Sequence, residues 1–388
     1  MAKLDHKLFD ITLAEVDKAL EQKKNSEAPR HYLGMSQIGD ECHRKLFYSF
    51  RNAEKRAWAA QGVRNIEDGH VQEDIMAARL RMVPGIELIT SDPDDPEKQI
   101  GFSLLLDHFR GHCDGAALGL LESPETFHTW EHKSVNETSF EKLKKIRAEK
   151  GEKNALREWN GTYYAQAQIY MHEMKLTRHF LTVSTPGGRD YLSIRTEYNR
   201  KEAEAIIEKA WSIIFDNWII PPRISDKREA FACKWCEFQE VCHDGRFPLV
   251  NCKTCRYSEP VDGGVRKCTL KENIIPEDVL HVGCDDHLYN PALVDAELVE
   301  HQGESVIYKT KKGIVFANTS LTGIPDIKTK KLDAIHTSTA LREDIKFITA
   351  IIKDDRTGAQ NPFDGEEVQD GDKQWKAAKK LDPRLKGI

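Results

Sequence analysis

Cysteine is the residue whose placement most restricts how this 388-residue chain can fold. Seven of its nine cysteines lie between Cys233 and Cys284. Residues 1–24 carry charges throughout and lack an apolar stretch, so we expect no secretory signal and a reducing, cytoplasmic location. Clustered thiols in a reducing compartment favour metal ligation over disulfide bonds. The chain is therefore expected to fold around at least one metal centre.

The composition is typical of a globular protein, and a length of 388 residues exceeds one typical domain, so two or three domains are expected. The chain is 31% charged and 39% hydrophobic, which excludes wholesale disorder. No apolar run approaches the roughly 18 residues of a membrane-spanning helix, so we expect no membrane partner. The net charge of −6 gives no sign of general polyanion binding, although it conceals a basic segment at 142–153. Such a run is usually a solvated face and supports nucleic-acid binding only if other features demand it.

The order of predicted elements indicates an α/β (α+β) fold with a mixed central β-sheet flanked by helices. An amphipathic helix is predicted before residue 29, and another helical region is predicted from Met35. Further helices are predicted over 65–80, 162–174, 201–218 and 337–353. Strands are predicted over 101–106, 111–118, 127–135 and 179–184, with a hairpin over 304–319 that turns at Lys311-Lys312-Gly313. Residues from 354 onward are rich in Asp, Gly, Lys and Gln, which predicts a poorly ordered tail.

Two neighbouring predicted strands carry side chains suited to phosphodiester hydrolysis. Asp114 lies on the first strand, and Glu131 and Lys133 lie on the second. Because alternate residues of a strand share a face, Glu131 and Lys133 point the same way, and His132 leaves its carbonyl near that face. Pairing of the strands would place Asp114 beside Glu131. Oxygen ligands of this kind hold Mg²⁺ or Mn²⁺, although Glu-x-Lys taken alone is also common on exposed strands.

An Asp on one strand followed by Glu-x-Lys on the next resembles the signature of the PD-(D/E)xK nucleases. Gly111-His-Cys-Asp-Gly115 is similar to the GhxDG form found in the RecB, AddB and Cas4 branch. Gln166-Ala-Gln-Ile-Tyr170 is similar to the Q-x3-Y motif that follows in that branch. The resemblance implies a restriction-endonuclease-like core in which Lys133 is catalytic. It also implies that Gln166 and Tyr170, one helical turn apart, contact a phosphate or that lysine.

The resemblance also implies a further metal ligand from a helix upstream of these strands. The segment Asp68-Gly69-His70-Val71-Gln72-Glu73 is similar to the helix that supplies it, usually as His or Glu. We prefer His70 as the ligand and keep Glu73 as its substitute. Together with Asp114, Glu131 and the His132 carbonyl, this residue would complete the catalytic metal site.

The first cysteine set has the spacing C-x2-C-x5-C at Cys233, Cys236 and Cys242 and provides three soft ligands. Cys42 resembles the N-terminal cysteine that completes a [4Fe-4S] cluster in the Cas4 and AddB type. A cluster joining residue 42 to this set would close a loop of about two hundred residues, so its role would be structural. Zinc bound by the same four cysteines is the alternative.

The second cysteine set has the spacing C-x2-C-x12-C-x15-C at Cys252, Cys255, Cys268 and Cys284. Four thiolates at these spacings predict structural zinc in a zinc-ribbon-like module, with His287 as an alternative to the last ligand. This set lies outside the Cas4-like pattern, and its module would contact DNA or dock a partner. The ninth cysteine, Cys113, directly precedes Asp114 on the predicted strand. Its side chain is expected to point to the opposite face from Asp114 and to be buried.

The motifs divide the chain into five predicted segments: an N-terminal helix (1–29), a nuclease domain (30–245), a zinc-ribbon-like module (246–290), a small α+β domain (291–353) and the tail (354–388). The favoured function is a Mg²⁺- or Mn²⁺-dependent DNA exonuclease that uses a two-metal mechanism in recombination, repair or end processing. Its expected partners are DNA strands or duplex ends and a recombination protein, and homo-oligomers are compatible with this function. The alternatives are a non-catalytic, metal-stapled DNA-binding or adaptor protein and a site-specific endonuclease of the same superfamily, which would need an element that reads bases.

Overall fold

The protein combines helices with several β-sheets in the part that the computed structural model describes, residues 10–320 and 332–343. The α-helices of this part are α1 (Ile11–Ser26), α2 (His43–Phe50), α3 (Ala60–Arg81), α4 (Glu137–Lys150), α5 (Glu152–Trp159), α6 (Gly161–Met174), α7 (Arg200–Phe215), α8 (Phe231–Lys234), α9 (Gln239–His243) and α10 (Ser338–Glu343). Its strands are β1 (Leu33–Gly34), β2 (Glu87–Ile89), β3 (Ile100–Leu104), β4 (Phe109–Cys113), β5 (Gly115–Leu118), β6 (His128–Ser134), β7 (Arg178–Ser184), β8 (Tyr191–Glu197), β9 (Ser258–Pro260), β10 (Arg266–Cys268), β11 (Asn273–Ile275), β12 (Glu297–Gln302), β13 (Ser305–Lys309), β14 (Val315–Thr319) and β15 (Ala334–His336). This combination confirms the α/β (α+β) class that the sequence predicts.

The chain divides into two compact units, each assembled from separate segments. The first unit comprises Met1–Ala28, Arg56–Phe102 and His112–Ala203, and the second comprises Pro29–Lys55, Ser103–Gly111 and Glu204–Ile388. The predicted nuclease segment, 30–245, contributes residues to both units. The predicted tail, 354–388, lies outside the described residues. The five-segment division of the chain stays a prediction.

A five-stranded mixed sheet in the order β2-β5-β6-β7-β8 lies at the centre of the first unit. Within it, β6 and β7 run parallel, and the other neighbouring pairs run antiparallel. A parallel pair requires a crossover, which α4, α5 and α6 supply here. The antiparallel pairing of β5 with β6 places Gly115 opposite Trp130. The register of this pair fixes where the candidate catalytic residues meet.

Apolar clusters cover both faces of this sheet. Phe180 of β7 packs with Trp130 of β6 and Met76 of α3 in one cluster. Leu181 and Val183 of β7 point to the opposite face of the sheet from Phe180. They pack in a second cluster with residues of α4, α5, α6 and β8. Because both faces are covered, polar side chains on the central strands are buried and need partners inside the protein.

The second unit contains an antiparallel sheet in the order β11-β10-β9 and a mixed sheet in the order β12-β13-β14-β15. A further sheet of the described residues has the order β1-β4-β3. The hairpin predicted over 304–319 is confirmed, because β13 and β14 pair with Ser305 opposite Thr319. The described part of the helix predicted over 337–353 is helical as α10, and the remainder lies outside the described residues.

Helix α1 lies on the surface of the first unit and has no buried residue. Polar contacts attach it instead. Glu21 Oε1 accepts a hydrogen bond from the backbone N–H of Ala60. The Asn25 amide donates to the Trp58 carbonyl oxygen, and Asn25 Oδ1 accepts from the Trp58 backbone N–H. None of the helices in the described part of the chain is both long and apolar enough to cross a membrane.

Candidate active site

Asp114 lies where the chain passes from β4 to β5 and belongs to neither strand. The continuous strand predicted over 111–118 was therefore wrong, because the ladder is interrupted at the aspartate. The backbone N–H of His132 donates a 2.8 Å hydrogen bond to Asp114 Oδ2 and holds the carboxylate beside β6. A side chain at Gly115 would place its Cβ 2.5 Å from the carbonyl oxygen of Ile89, so only glycine lets β2 pack this close to the break.

Glu131 projects from β6 into the interior and has an exposed fraction of 3%. Its Oε1 accepts hydrogen bonds from Lys133 Nζ and, at 2.9 Å, from Gln166 Nε2. The Gln166 amide also donates to the Tyr170 hydroxyl at 3.1 Å. The second carboxylate oxygen, Oε2, is buried and has no hydrogen-bond partner among the described residues. An unpaired buried carboxylate oxygen is costly, and a bound cation would satisfy it.

Helix α6 positions Gln166 and Tyr170. Asn160 caps the start of the helix by accepting hydrogen bonds from the backbone of Thr162 and Tyr163. The helix is buried over most of its circumference between residues 165 and 171, so Gln166 and Tyr170 are core residues and not an exposed pair. The sequence motif therefore marks a buried hydrogen-bond chain that orients Glu131.

A third carboxylate comes from α3. Glu73 is partly buried and interacts electrostatically with both Asp114 and Lys133. His70, one turn earlier, is exposed and also interacts electrostatically with Asp114. The Ser134 hydroxyl donates a 3.0 Å hydrogen bond to Oδ2 of Asp68, which also lies on α3. This bond links α3 to β6. We call Glu73, Asp114 and Glu131 the carboxylate cluster.

Burial, and for Glu131 and Glu73 also a neighbouring acid, raises the pKa of these three carboxyl groups. Burial raises the pKa of Glu131 to about 8, and the neighbouring Asp114 adds to this effect. Burial also raises the pKa of Glu73 to about 7 and the pKa of Asp114. Although burial opposes it, the attraction of Glu131 and Asp114 raises the pKa of Lys133 above its usual value. With one ammonium among three acids, full ionisation leaves an excess of negative charge that a divalent cation would offset.

The His132 side chain points away from the carboxylate cluster and is buried. Its Nδ1 contacts Thr182 Oγ1 at 3.0 Å, and its Nε2 contacts Ser184 Oγ at 3.1 Å. Burial lowers the pKa of this imidazole to about 4, so it is neutral near pH 7. Its ring thus positions β6 against β7, and the predicted role of its carbonyl as a metal ligand stays a prediction.

All nine cysteines are free thiols. Cys113 is fully buried, as expected, and its Sγ donates to the Gly115 carbonyl oxygen at 3.2 Å. The first set lies in the second unit: Cys42 precedes α2, and the other three lie on or between α8 and α9. Cys42 interacts electrostatically with both Cys233 and Cys242, and Cys242 interacts with Cys236. The fold therefore brings this set together.

Metal-binding geometry is not preformed at any of these places. Among the residues that the structure describes, no three His, Cys, Asp or Glu side chains are already arranged as a metal-binding group. Occupation of the predicted sites would therefore require side-chain movement. The chemistry of the donors remains suitable, since hard carboxylates lie in one unit and soft thiols in the other.

The predicted basic segment lies on α4 and α5 and is exposed. Half of its cations are paired with carboxylates: Lys144 with Glu141, Lys145 with Glu149 and Lys153 with Glu197. Lys142, Arg147 and Lys150 remain as exposed positive charges on the same helix. The segment is therefore less basic than its composition indicates.

Comparison with known protein families found no matching family, and comparison with curated proteins found no match. Among solved structures, the crystal structure of SSO0001 is similar with a TM-score of 0.33 and 14% identity, over 60% of this chain and 96% of that chain. The crystal structure of LHK-Exo in complex with dAMP has a TM-score of 0.31 and 14% identity, over 52% and 90%. A crystal structure of the alkaline exonuclease LHK-Exo from Laribacter hongkongensis has a TM-score of 0.31 and 13% identity, over 50% and 90%. Similarity at this level carries no argument about activity, so the functional argument rests on the site.

Proposed function

We propose that this protein is a divalent-metal-dependent deoxyribonuclease that degrades DNA from its ends. The observation that carries the proposal is the buried carboxylate of Glu131, which is held at one oxygen by Lys133 and Gln166 and unpaired at the other. The preference for DNA ends is supported by the resemblance of the motifs to the RecB and Cas4 branch. A role in recombination, repair or end processing would follow from that preference.

Asp114, Glu131 and Glu73 are the residues that would hold Mg²⁺ or Mn²⁺, with His70 as the alternative to Glu73. Bound there, such ions would lower the pKa of water and offset negative charge on the phosphate, and two of them would act on the attacking and leaving oxygens. The fit rests on oxygen donors that are hard ligands, on the unpaired Oε2 of Glu131 and on the presence of three acids beside one ammonium.

The protein's own groups have distinct tasks in this proposal. Lys133 keeps its proton because its pKa is raised, so it presents a permanent positive charge to the scissile phosphate. Gln166 donates to Oε1 of Glu131 and leaves Oε2 for the cation. Tyr170 accepts a hydrogen bond from Gln166 and fixes the orientation of its amide. The His132 backbone holds Asp114 at the break between strands.

The first cysteine set fits a structural iron–sulfur cluster in the same proposal. Cys42, Cys233, Cys236 and Cys242 supply the four thiolates that a [4Fe-4S] cluster requires. The electrostatic interactions among them support a common site. Anaerobic protein should be brown with absorbance near ~400 nm, and Cys236→Ser should bleach it. A colourless anaerobic preparation in which these cysteines hold zinc would contradict the cluster.

The nuclease proposal is tested with end-labelled linear DNA, single-stranded and duplex, and with covalently closed circular DNA. Linear DNA should be degraded in Mg²⁺ or Mn²⁺ and stay intact in EDTA, and closed circles should persist. Glu131→Gln should abolish cleavage with the fold preserved. Glu125→Gln, which changes an exposed acid in the turn before β6, should cleave like the wild type.

Two outcomes would change the assignment. Full activity of Glu131→Gln would remove the nuclease proposal and favour a non-catalytic DNA-binding protein. Cleavage of closed circles at the rate of linear DNA would replace the exonuclease with an endonuclease of similar chemistry.

A further inference from the structure

The second cysteine set surrounds a small cavity in the second unit. Cys252, Cys255, Cys268 and Cys284 all line a cavity of about 20 Å³. They come from three separate places: a capped turn of 3-10 helix, the end of β10, and the loop that follows β11. A single water molecule needs about 10–15 Å³, so this cavity has room for one ion.

Local structure explains why the chain converges here. Asn251 caps the turn that carries the first two cysteines, accepting hydrogen bonds from the backbone N–H groups of Lys253 and Thr254 at 2.8 and 3.1 Å. Cys268 lies opposite Ser258 in the pairing of β10 with β9, and Ser258 also lines the cavity. One capped turn and one antiparallel pair therefore direct three of the four thiols to the same point.

One buried cation, Arg266, lies beside this cavity and interacts electrostatically with Cys252 and Cys255. Arg266 lies two residues before Cys268, on the same side of β10. Lys253 lies between the first two cysteines in sequence, but its Nζ donates to the backbone carbonyls of Arg30 and His31 at 3.3 and 3.4 Å. The exposed fractions of Lys253 and Arg266 are 1% and 2%, and among the described residues neither has a carboxylate within ion-pair distance. Arg266 bonds the Ser258 hydroxyl at 2.8 Å and leaves one guanidinium nitrogen without a partner.

These charges surround an aromatic ring. Lys253 Nζ lies 4.8 Å from the ring centroid of Phe50, and the guanidinium of Arg266 lies 5.6 Å from it. Arg51, which has no exposed surface, lies 5.7 Å from the same ring. We call Arg51, Lys253 and Arg266 the cation cluster. A buried contact with an aromatic face contributes about 2 kcal/mol or somewhat more, which is less than burial of an uncompensated charge costs.

One zinc ion with four thiolates carries a formal charge of 2 − 4 = −2, which a neighbouring buried cation would partly balance. Zinc also prefers four soft sulfur ligands in a closed, tetrahedral site. We propose that Cys252, Cys255, Cys268 and Cys284 bind one structural zinc ion as thiolates, and that Arg266 is a counter-charge that stabilises it. The thiols complete this arrangement on binding, since zinc binding and the final folding step are coupled.

The fourth ligand is Cys284 in this proposal, in preference to His287. The His287 ring is buried, and its Nε2 already contacts Thr254 Oγ1 at 3.2 Å inside the capped turn. Cys284 is exposed, lies in a loop and already lines the cavity.

The first test is the metal content of the full-length protein, purified from medium containing both zinc and iron. Cys268→Ser should lose about one zinc per chain and keep its iron, as should Cys284→Ser. Cys113→Ser, at the cysteine outside both sets, should keep both metals. His287→Ala should keep its zinc, and loss of zinc there with retention in Cys284→Ser would make the histidine the ligand.

A measurement on the wild type covers the case in which these variants do not fold. Titration of native protein with a mercurial, followed with a chromogenic zinc chelator, should release about one zinc as four thiols of this set react. Protein in which Cys252, Cys255, Cys268 and Cys284 react as free thiols without releasing zinc would overturn the proposal. Iron in place of zinc at this set would overturn it as well. Neither outcome depends on nuclease activity.

The role of the Arg266 counter-charge is tested by substitution on one strand. Arg266→Met should weaken zinc affinity by about 10–100-fold, the usual loss when a group next to the ligands is removed. Lys267→Met changes the exposed neighbour on the opposite face of β10 and should leave the affinity unchanged. Equal affinities for the two variants would show that Arg266 plays no part in zinc binding.

Discussion

The two units of this protein each bury an excess of charge, and the two excesses have opposite signs. In the first unit the carboxylate cluster holds three acids against one ammonium, and its pKa values are raised. In the second unit the cation cluster holds three buried cations around Phe50 without an ion-paired acid among the described residues. Neither cluster is balanced by the side chains around it.

The difference between the clusters lies in how each excess can be balanced. Asp114 lies at the break between β4 and β5 and is only partly buried, and His70 on α3 is exposed, so ions and substrate can exchange. The cations lie in the interior, where a permanent and closed partner is needed. The sign of a buried charge therefore indicates which kind of ion would balance it. The solvent access of the site indicates whether that ion can exchange, as at a catalytic site, or is enclosed, as at a structural site.

The largest expected effect is on catalysis. Lys133→Met should reduce cleavage of linear DNA by about 10³-fold or more, because several kcal/mol of stabilisation at the phosphate are lost. The measurement is the single-turnover rate at saturating Mg²⁺. Lys175→Met, at an exposed lysine of the same unit, is the matched control and should retain the wild-type rate. A rate for Lys133→Met within tenfold of the wild type would contradict its role.

The next effect concerns the response of stability to pH and to divalent cations. The pKa of Glu131 rises from 4.5 to about 8 on folding, so the unfolded chain loses its proton first as the pH rises. The free energy of unfolding without added cation should therefore fall between pH 4.5 and 8. At pH 8, Mg²⁺ or Mn²⁺ at a hundred times its dissociation constant should restore about 2.7 kcal/mol.

Thermal unfolding with and without added cation measures this effect. Glu131→Gln should lose the cation-dependent increase, and Glu125→Gln should keep it. An equal increase at pH 5 and pH 8 would show that the cations bind outside the carboxylate cluster.

A smaller effect is expected from breaking the cation cluster at its most buried member. Arg51 donates to the Ile213 carbonyl oxygen at 2.9 Å and to Asn217 Oδ1 at 3.0 Å. Arg51→Met should lower the free energy of unfolding by about 1–3 kcal/mol, because buried acceptors lose their donors. Lys55→Met removes an exposed charge nearby in sequence and should change stability little. Denaturant unfolding measures both, and a more stable Arg51→Met would show that the buried charge is only a burden.

The smallest effect is expected at exposed charges, which water already compensates. Replacement of Lys142, Arg147 or Lys150 by Ala should each reduce the slope of log affinity against log salt by about 0.9 for duplex DNA. Lys144→Ala, at a lysine already paired with Glu141, should reduce it less. Binding is measured in the inactive Glu131→Gln background. Unchanged slopes in all four variants would place the DNA contacts elsewhere.

Periodicity and turn residues allowed much of the first unit to be predicted. The strand predicted over 127–135 is β6, and the helix predicted over 162–174 is α6, with ends shifted by one residue. The pattern failed where long-range packing dominates. Strand β8 was missed, because its alternating polar residues gain their structure from pairing with β7. The helices of the basic segment were missed because their stabilising face packs against the sheet.

The candidate site was predictable in its residue types but not in its electrostatics. Asp114, Glu131 and Lys133 were recognised from spacing, whereas the closer involvement of Glu73 follows from how α3 packs beside β6. The break at Asp114 was not visible, because Gly115 gives no sign in sequence of its contact with Ile89. The cation cluster was missed entirely, since lysine and arginine ordinarily predict exposed positions.

The sequence by itself determined which donors this protein has and how they are spaced, because ligand chemistry and strand or helix periodicity are local properties. Only the tertiary structure decided which donors are buried, which carboxylate oxygen is left unpaired and which cations lack acids. The reason is physical: the cost of burying a charge depends on every segment packed around it, and those segments are distant in the chain. The spacing of the donors in the sequence thus indicates which type of ion a site would bind. The packing around the site determines how strongly a bound ion would stabilise the protein.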